Sequence, residues 1–350
     1  LEGAAPTIKD VARRAGVSVA TASNVVNGAR PVGEASRKAV ETAISELGYR
    51  VNRAAASLRS RQSRLAGMVV PDIANVFFAG MVDRVEQEAE RAGYDLLIAS
   101  SSEDPALERR RIEALIGRRV DGLIVAPSTD SSTDWCAEAA SGALLPPMVL
   151  IDRGAEAAGF DTVSAAGEAG GYEATRHLIE RGHRDIAVLA YGLEIGNVNA
   201  RIAGYRRALA EAGLAGRERI VASAPGLENL RAAIEHDLHR VDRASAIFAL
   251  TNHSSLAAIK AARGLGLDIP GDLSIVGFDD VDWMCALRPY LTTVAQPIEE
   301  IAARSWSLLM RRIGGDIGAR QRIELPCTLK VRESTGFSRS PMKARAAAQT

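Results

Sequence analysis

Cysteine is scarce in this chain. Cys136, Cys285 and Cys327 stand far apart with no CxxC pair, which argues against a disulfide framework or a zinc site and for reduced thiols. Long apolar runs are missing too: nothing approaches the roughly 20 uninterrupted residues of a membrane span. The start, LEGAAPTIKD, has no apolar secretory core, so the expected location is the cytoplasm, with no membrane partner. Nucleotide and hydrolase signatures are also lacking. No GxGxxG follows the first apolar strand, no GxxxxGK[ST] occurs, and there is no GxSxG elbow. Gly264-Leu-Gly266 follows a helical pattern rather than a strand. His236 and His239 sit three apart on a helix without a nearby Cys and read as a surface pair. The chain is therefore not expected to be an enzyme, and no catalytic residue, cofactor or metal is expected.

Net charge is absent as well, with 43 basic and 43 acidic residues, but the balance hides an asymmetry. Residues 1–65 carry eleven Lys/Arg against five acids, a net of +6, and the remainder carries −6. A basic end on an acidic body suits contact with a polyanion. At 350 residues, two or three domains are expected.

Thr7-Ile-Lys-Asp10 reads as a capping box opening a helix with Ile8, Val11, Ala12 and Ala15 on one face and a stop at Gly16. Ser18 can cap a second helix whose inner face is Ala22, Val25 and Val26. A third runs from about Glu34 to Leu47, with Ala35, Val40, Ala43, Ile44 and Leu47 apolar. Two short helices joined by a tight Gly-containing turn and braced by a third describe a helix-turn-helix unit. The outer residues of the second helix, Ala20, Thr21, Ser23 and Asn24, are small and uncharged, where a helix facing only water would carry Lys and Glu. Such a surface permits close approach to base edges in a major groove, and Asn24 has the two-pronged edge that pairs with adenine.

From Leu65 onward, short apolar runs alternate with amphipathic stretches: LAGMVV, YDLLIAS, VDGLIVAP and MVLID, then DIAVLA, RIVAS, AIFAL and LSIVGF. Strands alternating with helices imply parallel sheets covered on both faces. The fold class expected is α/β, with an N-terminal all-α helix-turn-helix headpiece followed by a two-lobed, periplasmic-binding-protein-like body of doubly wound parallel sheets. The expected domains are residues 1–50, a hinge helix or linker at 51–62, a body at 63–338 and a disordered tail at 339–350. The body divides into lobes at about 63–160 plus 292–320 and 161–291 plus 321–338. LTTVAQP and RIELPCTLKVRES are expected to cross between them. Ligands of open parallel sheets sit at the C-terminal strand ends. Asp152, Asp279, Asp280, Thr251 and Asn252 fall there, and Arg201 opens a helix after DIAVLA.

TIKDVARRAGVSVATASNVVNG followed by SRKAVETAISELGYRVNRAAASLRS resembles the DNA-binding headpiece of the lactose/galactose-repressor family. VPDIANVFF, VDGLIVAPS, LIERGHRDIAVL, NARIAGYRRALAEAGL and VGFDDVDW resemble stretches of its body. The resemblance implies that Val19, Ala20 and Asn24 read bases, while Ser18, Thr21, Ser23 and Asn27 grip the backbone. It also implies a hinge, with Asn52, that places Leu58 as a minor-groove wedge and Arg59 near phosphate. Around a small-molecule effector it places Phe77, Asp152, Asn197, Arg201, Thr251, Asp279 and Gln296. Three positions depart from the pattern. Asn24 stands where Arg is usual, Pro225 where an aromatic residue often stacks, and Thr251-Asn252 where Asn-Asp is common. The implied function is an effector-controlled, sequence-specific transcriptional regulator, most simply a repressor, whose effector is a sugar or related metabolite. It would act as a homodimer on a pseudo-palindromic double-stranded operator. The alternatives are a soluble small-molecule-binding protein and a regulator controlled by a protein partner.

Overall fold

The computed structural model describes residues 6–27, 30–49, 62–129, 145–154, 159–193, 195–286 and 288–338. The expected hinge and the tail fall almost wholly outside them. The chain divides into two compact units, Leu1–Ser63 and Arg64–Thr350.

The first unit contains helices α1 (Ile8–Ala15), α2 (Val19–Asn27) and α3 (Glu34–Leu47). The α1 N-terminus is closed by Asp10, whose carboxylate accepts both the Thr7 amide (2.9 Å) and the Thr7 hydroxyl (2.7 Å). The expected capping box is formed, with the Thr7 side chain facing the Asp10 amide and the Asp10 side chain facing the Thr7 amide. Helix α1 ends at Gly16, whose φ of +66° lies in the left-handed region that favours glycine. Val11, Ala12, Ala22, Val40 and Ala43 make a small core, with Ile8, Ala15, Val25, Ile44, Leu47 and Tyr49 packed around it. Ala35, expected on the inner face of α3, is exposed.

The second unit holds two six-stranded sheets. The first runs β11-β5-β4-β3-β1-β2, from β1 (Leu65–Val70), β2 (Asp95–Ser100), β3 (Gly122–Val125), β4 (Met148–Ile151), β5 (Asp161–Ala165) and β11 (Arg322–Leu325), all parallel. The second runs β12-β10-β9-β8-β6-β7, from β6 (Ile186–Tyr191), β7 (Arg219–Ser223), β8 (Ala246–Ala249), β9 (Ser274–Phe278), β10 (Thr292–Ala295) and β12 (Thr328–Lys330). Only β12 is antiparallel to its neighbour. Central strands such as MVLI and AIFA are buried throughout, as parallel strands covered on both faces must be.

Helices α4 (Val76–Arg91), α5 (Pro105–Gly117) and α10 (Ile298–Ile313) pack against the first sheet. Helices α6 (Gly167–Glu180), α7 (Gly196–Glu211), α8 (Leu227–Leu238) and α9 (Asn252–Gly264) cover the second. The lobe boundaries differ from the sequence expectation. Strand β5, DTVSA, belongs to the first sheet, and β10 belongs to the second. The run RIELPCTLK splits, with β11 in the first sheet and β12 in the second. Strand β5 has no continuous apolar run to announce it, and alternation along the chain does not say which sheet a strand joins.

Helices α6 and α7 approach closely because glycines face each other. A Cβ added at Gly204 would lie 2.0 Å from the Glu168 carbonyl oxygen, and one at Gly171 would lie 2.2 Å from that of Arg201. Backbone cannot give way as a side-chain tip can. Gly204→Ala is therefore expected to cost about 3 kcal/mol or more, at the upper end for overpacking. Urea denaturation checks this, and an unchanged midpoint would refute it.

The C-terminal segment is tied to the second lobe by buried histidines. His177 Nδ1 accepts from Arg181 (3.1 Å), so Nε2 carries the hydrogen and donates to Thr335 Oγ1 (2.9 Å). His183 contacts Ser245, Ser274 and the Gly336 carbonyl. Burial, reinforced by Arg181 and His183, pushes the His177 pKa down to about 4. Between its ordinary value of 6.5 and about 4, the unfolded chain binds a proton that the native state refuses. The stabilisation is complete above pH 6.5 and is lost on acidification, by roughly 3 kcal/mol over that window. His177→Gln should flatten the stability profile between pH 7 and 4.5; a profile of unchanged slope would discount the histidine.

Candidate functional site

In the headpiece, Ser18 Oγ accepts from the Thr21 amide (3.0 Å) and is bonded to Thr21 Oγ1 (2.8 Å), so it caps α2. That leaves Ser18, Val19 and Ala20 exposed at the helix start, with Thr21, Ser23 and Asn24 half-exposed. Ala20, Ser23 and Asn24 share one helix face by their spacing, while Ala22 is fully buried on the other. The exposed first turn presents unpaired amides and the positive end of the helix dipole, a setting that favours phosphate. Lys9, Arg13, Arg14, Arg37 and Lys38 are exposed on the same unit. Asn27 ends α2, but its side chain, like Asn52, Leu58 and Arg59, lies outside the described residues.

In the body, charged and amide side chains gather where the two sheets end. Asp152 follows β4 and Asp279 follows β9, with φ of +62° and +69°. Left-handed backbone costs a non-glycine residue about 1–3 kcal/mol, and such strain clusters at functional sites. Both carboxylates are buried. Asp152 accepts Asn197 Nδ2 (3.0 Å) from the other lobe. Burial raises its pKa, an effect opposed by the positive charges of Arg153 and Arg201.

Arg201, on α7, is 4% exposed. Its guanidinium lies 3.7 Å from the Phe278 ring centroid and donates to the Leu250 carbonyl (2.5 Å). Asp279 Oδ1 accepts Gln296 Nε2 (2.7 Å), and its Oδ2 accepts both the amide and the side chain of Asn252 (3.1 Å each). Arg201 Nε and Gln296 Oε1 are buried with no hydrogen-bond partner. A buried donor and acceptor left free beside two carboxylates can take a small polar molecule rich in hydroxyls.

Two sequence expectations are placed differently. Phe77 is in the first-lobe core, edge-on to Phe78 with centroids 5.1 Å apart, and Arg153 lies over Phe78 instead. The Thr251 hydroxyl caps α9, accepting the Ser254 amide (3.1 Å). The next residue, Asn252, reaches the carboxylate. A short hydroxyl beside a helix start is claimed by the free amides there.

Several residues were missed in the sequence. Arg153 makes a two-pronged pair with Glu103 (2.6 and 3.0 Å) at the end of the first sheet. Tyr191 ends β6, with its hydroxyl pushed up to about 12 by burial and the nearby Glu103. Asn75 caps α4 by accepting the Phe77 amide (3.1 Å). VPDIANVFF and the Thr251-Asn252 departure marked Asn75 and Asn252 but not their meeting. Asp280 anchors the turn that carries Asp279. Burial alone would raise it, but bonds from Arg332, Lys330 and Thr293 hold it down to about 2. Among the described residues, no cluster of His, Cys, Asp and Glu is placed to hold a metal ion, and no helix is long and apolar enough to cross a membrane.

A helix-turn-helix unit with an open small-residue face, followed by a two-sheet body with polar groups between its lobes, defines a ligand-responsive DNA-binding regulator. Residues 7–52 match the model for bacterial regulatory proteins of the lacI family, and residues 175–335 match a periplasmic binding protein-like domain. The chain is 35% identical to the HTH-type transcriptional regulator DegA of Bacillus subtilis (strain 168), over 94% of this chain and 98% of the relative. The Lac repressor dimer bound to operator and the anti-inducer ONPF aligns with a TM-score of 0.83 at 26% identity, covering 95% of this chain and 99% of that one. A transcriptional regulator CelR–cellobiose complex aligns at 0.69 and 30% identity, over 94% and 99%. The chain belongs to the lacI family of bacterial transcriptional regulators.

Proposed function

We propose that this regulator is a repressor that releases or grips its operator according to a sugar or related metabolite held between its lobes. The carrying observation is the meeting of Asp152, Asn197, Arg201, Asp279 and Gln296, all buried or half-buried, with a free donor and a free acceptor among them. Asp152 and Asp279 would accept ligand hydroxyls, and Arg201 Nε and Gln296 would complete the set. The similar CelR structure contains cellobiose, which supports a sugar.

The proposed operator contact runs through α2, with Val19, Ala20 and Asn24 at base edges and Ser18, Thr21, Ser23 and Asn27 at the backbone. Asn52, Leu58 and Arg59 would join from the hinge. The Lac repressor structure is a dimer on its operator, which supports a homodimer that sets two α2 helices about 34–36 Å apart.

Selection from random duplexes, repeated with pooled sugars, nucleosides and organic acids, tests this. A palindrome whose enrichment changes with one pool is expected; no enriched sequence in any condition would overturn the reading. In the same assay, Asn24→Arg should shift one symmetric position from adenine toward guanine. An unchanged consensus would remove Asn24 from the readers.

A further inference from the structure

We propose that Asn252 is a positioning residue that clasps the two lobes together and links the Asp279 carboxylate to the start of helix α4. The side chain is 2% exposed, and its amide nitrogen has two partners on opposite lobes. One is Asp279 Oδ2 (3.1 Å) in the second lobe; the other is Asn75 Oδ1 (2.9 Å) in the first.

The α4 cap fixes the sense of this contact. Asn75 accepts the Phe77 amide with the same Oδ1, so its carbonyl and not its NH2 must face Asn252. Both hydrogens of the Asn252 amide are thereby committed, one to each lobe. Aspartate, common at this position in the family pattern, has no hydrogen to give at neutral pH. It would face Asn75 Oδ1 and the Asp279 carboxylate as a third acceptor. In this chain Asn252 supplies a donor to each of the two acceptors.

The consequence for regulation rests on the effector reading above. A ligand hydroxyl that claims Asp279 Oδ2 competes with Asn252 for that oxygen. The displaced amide then loosens its hold on Asn75, and cleft occupancy is felt at the first turn of α4. The clasp itself requires no ligand, so it is tested without one.

Hydrogen exchange followed by mass spectrometry on the full ligand-free chain provides that test, comparing wild type with Asn252→Asp and Asn252→Ala. Leaving each of these buried acceptors with one donor fewer is expected to speed exchange about tenfold or more at residues 75–80, in the opposite lobe from the substitution. Helix α5, in that same lobe but packed in a different core cluster from α4, should be unaffected. Asn75→Ser approaches from the other side: serine preserves the cap but is too short to reach Asn252, and exchange at residues 252–255 should rise. That variant also decides the matter if the Asn252 substitutions fail to fold. Faster exchange confined to the substituted lobe in each case would overturn the clasp. If the sugar pools change nothing while these cross-lobe effects appear, the effector reading fails and the clasp stands.

Discussion

Replacing Arg312 with alanine should cost the protein about 3–5 kcal/mol, the amount associated with stranding one partner of a buried ion pair. Asp161 is fully buried, and Arg312 Nε and Nη2 grip its two oxygens at 2.7 and 2.9 Å. The same guanidinium donates to the carbonyls of Asp316, Gly318 and Ala319, tying the loop after α10 to the start of β5. Burial alone would raise the Asp161 carboxyl; the bonds from Arg312 and the Gln321 amide together hold it below the usual range. Without the arginine, the carboxylate keeps its burial and loses most of its compensation. Denaturant unfolding measures the effect, and a loss below about 1 kcal/mol would show that Arg320, 3.5 Å away, replaces it. By sign, this pair stabilises above the ordinary aspartate pKa and weakens as pH falls through the depressed one.

Arg201→Ala should abolish the response to whichever small molecule shifts operator selection. The expected loss in effector affinity is about tenfold or more, the worth of the one charge-assisted hydrogen bond that Arg201 Nε would supply, at roughly 1.5–3 kcal/mol. Operator binding without effector should survive, because the α2 face belongs to the separate first unit. Arg201→Lys tests geometry against charge: lysine keeps the cation but loses the planar fork that spans the Leu250 carbonyl and the cleft. Titration calorimetry with the selected ligand checks both variants. Wild-type affinity in Arg201→Ala would place the effector elsewhere.

Much of this protein was legible in short stretches of sequence. TIKD, Gly16 and Ser18 announced the first headpiece helices because caps and stops act over three or four residues. Runs such as MVLI and AIFA announced buried parallel strands, since both faces of such strands must be apolar. Asp152, Arg201 and Asp279 were found as strand-end or helix-start residues, and Gln296 through the family resemblance. What local pattern does not encode is which distant residue each one meets. DTVSA joined the first sheet and TTVA the second through pairings made far along the chain. Phe77 and Phe78 are adjacent and alike, and only packing decided that Arg153 lies over the second. Asn75 and Asn252 are 177 residues apart, and their contact exists because two lobes bring two helix starts together. Periodicity and capping are local and are written in the sequence; the choice of partner between buried polar groups follows from closure of the fold.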